Sequence, residues 1–286
     1  MGIRGLRRAL GDRSPGGSRR EGPVQLCRVC HAQSQPFETS YGRLWYRCPE
    51  CNFLQRELVH DLYEDLHEGE GLTAGTGIGG GGYREYFLSK LLHDELGLST
   101  ILLYGTGNTP TFFQLMEEGL DVWGCDLSSD LVQLRNDAND GNRFFHPDNF
   151  PEGAQYDLIV AVEVFEHFAA PIRSLRLLER HLSPRGVIAG TTDFYDGGSI
   201  GDHVYLKPRM HVAYWSESGL RVAGEQASLP GFQLFELICP GSVKPDEKFG
   251  ALWPRKRVFF LYAEHEYNHY FQLLRERHPI LPIDRP

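Results

Sequence analysis

Two glutamates and a histidine stand close together in the segment Glu163-Val164-Phe165-Glu166-His167. Positions three and four residues apart meet on one face of a helical turn, so this spacing can aim two carboxylates and an imidazole at one point. Such groups can accept a proton from a substrate, and they can also bind a divalent metal ion. The segment is therefore a candidate catalytic centre of one kind or the other.

Two earlier features of the chain indicate a nucleotide site. The apolar run at residues 101–104 ends in Gly105 and Gly107, and a second run at residues 120–125 ends in Asp126. Glycine permits a positive φ and the close approach of a ligand to the backbone. A carboxylate about 20 residues after such a turn contacts a ribose in nucleotide-binding sheets. The pattern therefore predicts strand, glycine turn, helix, and then a second strand that ends in a ribose-binding carboxylate.

The acidic segment follows a third apolar run, at residues 156–162. Because ligands of open parallel sheets bind at the carboxyl ends of the strands, we expect Glu163 to lie at the same edge as the glycine turn. A full dinucleotide fingerprint would have a third glycine near Pro110, which argues against a nicotinamide or flavin cofactor. A cofactor with one adenosine and an amino-acid tail suits the site better.

The order of these segments resembles that of class I S-adenosylmethionine-dependent methyltransferases, over roughly residues 83–263. Residues 101–107, 124–128 and 156–167 are similar to the family's first, second and fourth motifs, and residues 177–188 to its helix, Pro-x-Gly turn and fifth strand. The resemblance implies an α/β, Rossmann-like fold with a seven-stranded, mostly parallel sheet. It also implies that the positions matching the family's cofactor site bind S-adenosylmethionine: Gly105, Gly107, Asp126, Leu127 and Glu163.

Methyl transfer from a sulfonium requires alignment of the acceptor and, for a hydroxyl acceptor, removal of a proton. We predict His167, His211 or Tyr205 as the base and a small-molecule acceptor, a metabolite or a sugar-like molecule. A similar Glu-x-x-Glu-His occurs in metal-dependent O-methyltransferases of ubiquinone biosynthesis and of small-RNA 3′ ends. In that alternative Glu163, Glu166, His167 and His211 would hold a second divalent metal, and the acceptor would be a hydroxyl of a metabolite or an RNA end. We expect no metal there.

One departure from the family pattern supports a further alternative. Leu103 stands where the family usually has an acidic residue. A non-catalytic binding module, made of a zinc ribbon and a methyltransferase-like domain, is therefore the remaining alternative function.

Four of the six cysteines fall as Cys27-x2-Cys30 and Cys48-x2-Cys51, with seventeen residues between the pairs. Each pair can present two thiolates to one ion, and two such knuckles complete a tetrahedral site. This spacing predicts a zinc ribbon with a structural zinc ion, in preference to redox pairs or a disulfide framework.

Charge is distributed unevenly along the 286 residues. Residues 1–58 carry ten arginines, no lysine and five acidic residues, which gives +5 and leaves −14 on the rest of a chain whose net charge is −9. An acidic catalytic domain repels nucleic acid, so we do not expect a nucleic-acid partner. No apolar run approaches the ~20 residues that span a bilayer, and we expect a cytoplasmic protein without membrane contact. The pattern does not indicate an oligomeric state.

The predicted organisation has five parts. They are a disordered basic tail at 1–22, for which an organellar transit peptide is the alternative, the zinc ribbon at 23–58, a glycine-rich linker or lid at 59–82, the methyltransferase domain at 83–277, and a carboxyl-terminal tail at 278–286.

Overall fold

The structure is a computed structural model of the chain. It describes residues 24–58, 80–138, 142–238, 255–263, 267–277 and 280–282. The predicted basic tail lies outside the described residues, as do residues 59–79 of the predicted linker or lid.

Strands and helices alternate along most of the described chain. In chain order the strands are β1 (Gln25–Leu26), β2 (Gln33–Ser40), β3 (Arg43–Arg47), β4 (Leu54–Arg56), β5 (Thr100–Tyr104), β6 (Asp121–Cys125), β7 (Phe144–Phe145), β8 (Tyr156–Val162), β9 (Leu182–Thr191), β10 (Ala213–Tyr214), β11 (Gly231–Ile238), β12 (Arg255–Tyr262) and β13 (Ile280–Pro282). The helices are α1 (Gly80–Leu96), α2 (Thr111–Glu117), α3 (Ser129–Asp137), α4 (Pro171–Arg180), α5 (Glu217–Gln226) and α6 (Tyr267–Arg277).

The larger sheet has the order β13-β11-β12-β9-β8-β5-β6-β7. Strands β9, β8, β5, β6 and β7 are parallel neighbours, and β12, β11 and β13 continue the sheet in antiparallel pairing. The predicted seven-stranded, mostly parallel sheet is confirmed, and an eighth short strand is added at its edge. That strand, β13, comes from the segment that was predicted to be an extended tail.

The parallel strands are almost continuously apolar because both faces of the sheet are covered. Ile101, Leu102 and Leu103 are fully buried, and the register pairs Leu102 with Ile159 of β8. Leu103 belongs to an apolar cluster that also contains buried leucines of α1, such as Leu88. Its departure from the acidic residue usual in the family therefore adds apolar packing between sheet and helix.

The smaller sheet has the order β1-β2-β3-β4-β10. Its first four strands come from the predicted zinc ribbon, whereas β10 comes from the loop after β9. Antiparallel pairing of Ala213 with Gln55 and of Tyr214 with Leu54 joins the two parts of the chain. The ring of Phe53, in the ribbon, lies 4.8 Å from that of Trp215. The ribbon and the larger domain therefore share one apolar core.

Two helix ends follow general rules for helix termini. Ser216 caps α5, because its Oγ accepts a hydrogen bond of 2.9 Å from the Gly219 amide. Pro171 occupies the first turn of α4, where its missing amide hydrogen costs nothing. In the described part of the chain, none of the helices combines the length and apolar character needed to cross a membrane.

Candidate functional site

The turn after β5 has the geometry that requires glycine. Gly105 has φ +71° and Gly107 has φ +58°, both in the left-handed region. A Cβ on Gly105 would lie 2.6 Å from Cγ2 of Val164, whereas a Cβ on Gly107 would meet no atom within 4 Å. The first glycine thus permits close packing against the segment after β8, and the second faces open space. We call residues 105–110 the glycine loop.

Asp126 lies directly beside the glycine loop. Its Oδ2 accepts a hydrogen bond of 2.9 Å from the Gly107 amide, and its Oδ1 accepts one of 2.9 Å from the Ser128 amide. Each carboxylate oxygen keeps further acceptor capacity for a ligand hydroxyl. The next side chain, Leu127, is 41% exposed and offers an apolar surface at the same place. This set of groups fits a ribose and an adenine ring.

Two residues that the sequence analysis did not select hold the glycine loop from behind. Oε2 of Glu85, in α1, accepts a hydrogen bond of 2.8 Å from Thr109 Oγ1. Arg135, in α3, donates to Asn108 Oδ1 at 3.0 Å and to the Thr109 carbonyl at 2.8 Å. Burial raises the pKa of Glu85 to about 8. The loop is thereby fixed to two helices.

Glu163 follows β8 with φ +55°, an uncommon conformation for a residue with a side chain. Its Oε1 accepts a hydrogen bond of 2.9 Å from Thr191 Oγ1 and lies 3.3 Å from the guanidinium of Arg84. Its Oε2 lies 3.5 Å from Lys256 Nζ, and this ammonium group also contacts Asp193 at 2.7 Å. Glu163 is thus held by two cations from distant parts of the chain.

Glu166 points to a different place. It is fully buried, and its Oε2 accepts a hydrogen bond of 3.0 Å from Thr192 Oγ1, which also contacts the hydroxyl of Tyr205. Its Oε1 has no hydrogen-bond partner among the described residues. Burial, together with the charge of Glu163, raises the pKa of Glu166 to about 8.

His167 and His211 come together although 43 residues separate them in the chain. Their ring centroids are 4.8 Å apart, and His211 Nε2 lies 4.0 Å from Glu166 Oε1. Burial lowers the pKa of both imidazoles, to about 3 for His211, which also lies beside His167. Burial raises the pKa of the Tyr205 phenol well above its usual value. Both histidines are therefore neutral at pH 7, and Tyr205 keeps its proton.

The predicted alternative set of metal ligands is only partly assembled. Three residues each bring one possible ligand atom within 4.8 Å of the others: Glu166, His167 and His211. Glu163 is outside this group because its carboxylate is engaged by Arg84 and Lys256.

A cavity of about 320 Å³ opens beside Thr192, the residue whose hydroxyl contacts Glu166, and its volume suits a small ligand. Its lining includes Thr192, Asp193, Phe194, Tyr214, Lys256 and Arg257. Arg257 pairs with Asp196, and Lys256 pairs with Asp193. The lining also contains Asp196, Glu236 and His203, so the wall is polar and has three carboxylates beside two cations.

The four cysteines of the ribbon converge as predicted. Cys27 Sγ lies 3.7 Å from Cys51 Sγ, Cys30 Sγ lies 3.3 Å from Cys48 Sγ, and the four sulfurs lie within 4.8 Å of one another. A hydrogen bond from Cys51 lowers the pKa of Cys27 to about 5, which favours a thiolate. Four thiols at this spacing fit a tetrahedral zinc ion. We call these residues the four-cysteine cluster.

The two cysteine knuckles have the same backbone form. The amide of His31 donates to the carbonyl of Cys27, and the amide of Asn52 donates to the carbonyl of Cys48, both at 3.0 Å. His31 and Asn52 each follow the second cysteine of a pair and have φ +63° and +56°. The sequence pairs thus form two equivalent turns that face each other.

Comparison with known proteins identifies the larger domain. The family described as "Methyltransferase domain" matches residues 81–234, which is more than half of the chain. The chain belongs to this family. The predicted S-adenosylmethionine-dependent methyltransferase is therefore confirmed as to family, fold and class of enzyme.

Solved methyltransferase structures share this fold. The methyltransferase in a complex with the Haloferax volcanii Trm112 methyltransferase activator is 17% identical, with a TM-score of 0.51, and the match covers 73% of this chain and 100% of that one. Plantazolicin methyltransferase BpumL, solved with a triazolic desmethylPZN analog and SAH, is 16% identical, with a TM-score of 0.51, and the match covers 71% of this chain and 94% of that one. A search of curated proteins finds no match to the sequence.

Four residues of the site were not predicted: Arg84, Glu85, Thr192 and Lys256. Lys256 could have been found, because it stands at the start of the closing antiparallel strand, which begins at the edge where β9 ends. Thr192 also follows β9 at that edge, whereas Arg84 and Glu85 lie in a helix pattern that gives no local signal.

Proposed function

We propose that this methyltransferase transfers the methyl group of S-adenosylmethionine to a small, neutral, hydroxyl-bearing acceptor that binds in the cavity beside Thr192. One observation carries the proposal: two residues that line the cavity contact the two glutamates of the candidate site. Thr192 lines it and donates to Glu166, and Lys256 lines it and contacts Glu163. An acceptor in this cavity would thus lie beside the residues that follow β8 and β9.

The glycine loop and its neighbours would bind the cofactor. The open space at Gly107, the carboxylate of Asp126 and the exposed side chain of Leu127 fit an amino-acid tail, a ribose and an adenine ring. Gly105 permits the turn, and Glu163 would form the wall towards the acceptor. S-adenosylmethionine, when bound, supplies a methyl group that its sulfonium makes electrophilic.

The lining of the cavity favours a neutral acceptor with several hydroxyl groups, such as a sugar-like metabolite. Because Asp193 and Asp196 are paired with Lys256 and Arg257, a strongly charged ligand would compete with existing ion pairs. Paired carboxylates and guanidinium groups still have free hydrogen-bonding positions, which hydroxyls can use as donors and acceptors. The ring of Tyr214 adds an apolar surface.

Proton removal would be done by the buried histidines. Burial keeps both His167 and His211 uncharged at neutral pH, the form that can accept a proton, and the same burial makes both of them weaker bases. Tyr205, whose phenol keeps its proton, would instead donate a hydrogen bond and hold Thr192 in place. The two histidines are thus the better candidates for the base.

A metal-dependent O-methyltransferase is the second candidate function, and one observation favours it. The ligand atoms of Glu166, His167 and His211 converge, and Glu166 Oε1 and His211 Nδ1 are buried without a hydrogen-bond partner among the described residues. Buried polar atoms without partners are uncommon unless an ion or water satisfies them. A divalent ion there would orient an acceptor hydroxyl and make it more acidic.

We also propose that the four-cysteine cluster binds a structural zinc ion. The described ribbon has only 35 residues, 24–58, and can bury little apolar area by itself, so metal binding would supply much of its stability.

Calorimetric titration tests the proposed function at its first step. Wild-type protein should bind S-adenosylmethionine and not NAD. A screen with methyl-labelled S-adenosylmethionine then compares neutral polyols with their carboxylate and amine analogues, and label should pass to the neutral members. Binding without transfer to any class would support the non-catalytic binding module, whereas a preference for NAD would exclude the methyltransferase proposal.

A further inference from the structure

The ribbon contacts the two segments that carry the active-site histidines. Arg28 lies in the first knuckle, between Cys27 and Cys30. Its guanidinium donates to the carbonyl of Ala169 at 3.0 Å and to the carbonyl of Val212. Ala169 comes two residues after His167, and Val212 comes directly after His211. A single side chain of the ribbon thus spans the backbone of both segments.

The position of Arg28 is itself fixed by the ribbon. Its amide donates to Gln55 Oε1 at 2.8 Å, and the same oxygen accepts from the Arg28 side chain at 3.4 Å. Gln55 lies in β4, opposite Ala213 of β10. Because Arg28 sits between two ligands of the four-cysteine cluster, a change in that knuckle would move the guanidinium.

Other contacts tie the same region together. Arg56 is buried, and its Nε donates to the carbonyl of His211 at 3.0 Å. The amide of Val212 donates to the carbonyl of Glu166 at 2.9 Å. On the far side of the cluster, the carbonyl of Cys51 accepts from Ser216 Oγ at 2.6 Å. The ribbon side therefore contacts the two histidine segments at several points, and Arg28 contacts both segments.

We infer that Arg28 is a positioning residue that couples the metal-loaded four-cysteine cluster to the relative placement of His167 and His211. A planar guanidinium can donate to two carbonyl groups in fixed directions, which a flexible ammonium cannot do. The ribbon therefore does more than stabilise the fold, since it sets the geometry of the acceptor side. The part concerning the acceptor rests on the proposed function, whereas the geometric coupling does not.

The test replaces Arg28 with methionine and with lysine, and it replaces Arg47 with methionine as a matched control. Arg47 lies in β3 of the same sheet, where its guanidinium stacks over the ring of Phe37, 5.0 Å from the centroid. Nitrogen-15 NMR of histidine-labelled protein reports the tautomer and environment of His167 and His211. Zinc content and affinity for S-adenosylmethionine are measured on the same samples.

We expect Arg28→Met to keep its zinc and its cofactor affinity, while the ring signals of both histidines shift or broaden. Arg28→Lys should be intermediate, and Arg47→Met should match the wild type. Removing zinc from the wild type should change the same histidine signals.

Several results would overturn the inference. These are unchanged histidine signals in Arg28→Met, equal changes in Arg47→Met, loss of zinc in both Arg28 variants, or a zinc-free wild type whose histidine signals do not move. If the wild type does not bind S-adenosylmethionine, the proposed function fails, and the histidine signals still decide the coupling.

Discussion

Replacing Asp126 with alanine should weaken the binding of S-adenosylmethionine about 10- to 150-fold. A hydrogen bond to a charged group contributes about 1.5–3 kcal/mol, and each 1.4 kcal/mol is tenfold in affinity. The structure adds a second effect, since Asp126 also accepts hydrogen bonds from the amides of Gly107 and Ser128. Alanine leaves both amides without this acceptor and loosens the glycine loop, so the loss should fall in the upper part of the range.

Asparagine at position 126 separates the two effects. Its side-chain oxygen can keep one of the two amide hydrogen bonds, while its charge is lost, so its affinity should lie between those of wild type and alanine. Asp130→Ala is the matched control, because Asp130 is exposed in the first turn of α3. Isothermal titration at 25 °C gives the four dissociation constants, and thermal unfolding shows that each variant is folded. Equal affinity in wild type and Asp126→Ala would refute the role assigned to this carboxylate.

Three further predictions concern the loop and the metals. Gly105→Ala should lower the melting temperature more than Gly107→Ala. Both positions have a positive φ, but only at Gly105 would the added Cβ meet a neighbour, Val164, within 4 Å. Equal losses of melting temperature in scanning fluorimetry would contradict this. Protein purified without added zinc should carry one zinc per chain by mass spectrometry, and less than half an equivalent would exclude a zinc site at the four-cysteine cluster. Brief chelation should leave methyl transfer intact, because we expect no catalytic metal. The test is selective, since thiolate zinc in the four-cysteine cluster resists brief chelation better than a metal at an oxygen-rich site does. Loss of activity that magnesium or manganese restores would instead establish the metal-dependent alternative.

Local patterns predicted most of the larger sheet. The apolar runs before Gly105, Asp126 and Glu163 predicted three parallel strands, because a strand covered on both faces must be apolar throughout. The spacing of the four cysteines likewise predicted their convergence. The short strand β13 was missed because three residues, of which the last is a proline, carry too little pattern to distinguish a strand from a tail.

The polar contacts of the site were harder to predict. Arg84 and Lys256 are separated from Glu163 by long stretches of chain, and only the folded sheet brings them together. The sequence spacing therefore placed Glu163 with Glu166 and His167, whereas in the structure the two cations draw its carboxylate away. No local rule weighs a distant ion pair against a neighbouring metal ligand.

The pairing of β4 with β10 also bears on how this protein is made. Strand β4 leaves the ribosome long before β10, which consists of Ala213 and Tyr214. The ribbon sheet can therefore be completed only after most of the chain has been synthesised. Contacts between residues far apart in sequence form late, and unpaired strand edges are prone to association with other chains. Early capture of zinc by the cysteines would protect the nascent amino-terminal part during this interval. A fragment ending near residue 58 would lack the strand that completes its sheet, so the ribbon is a poor module for transfer to other proteins.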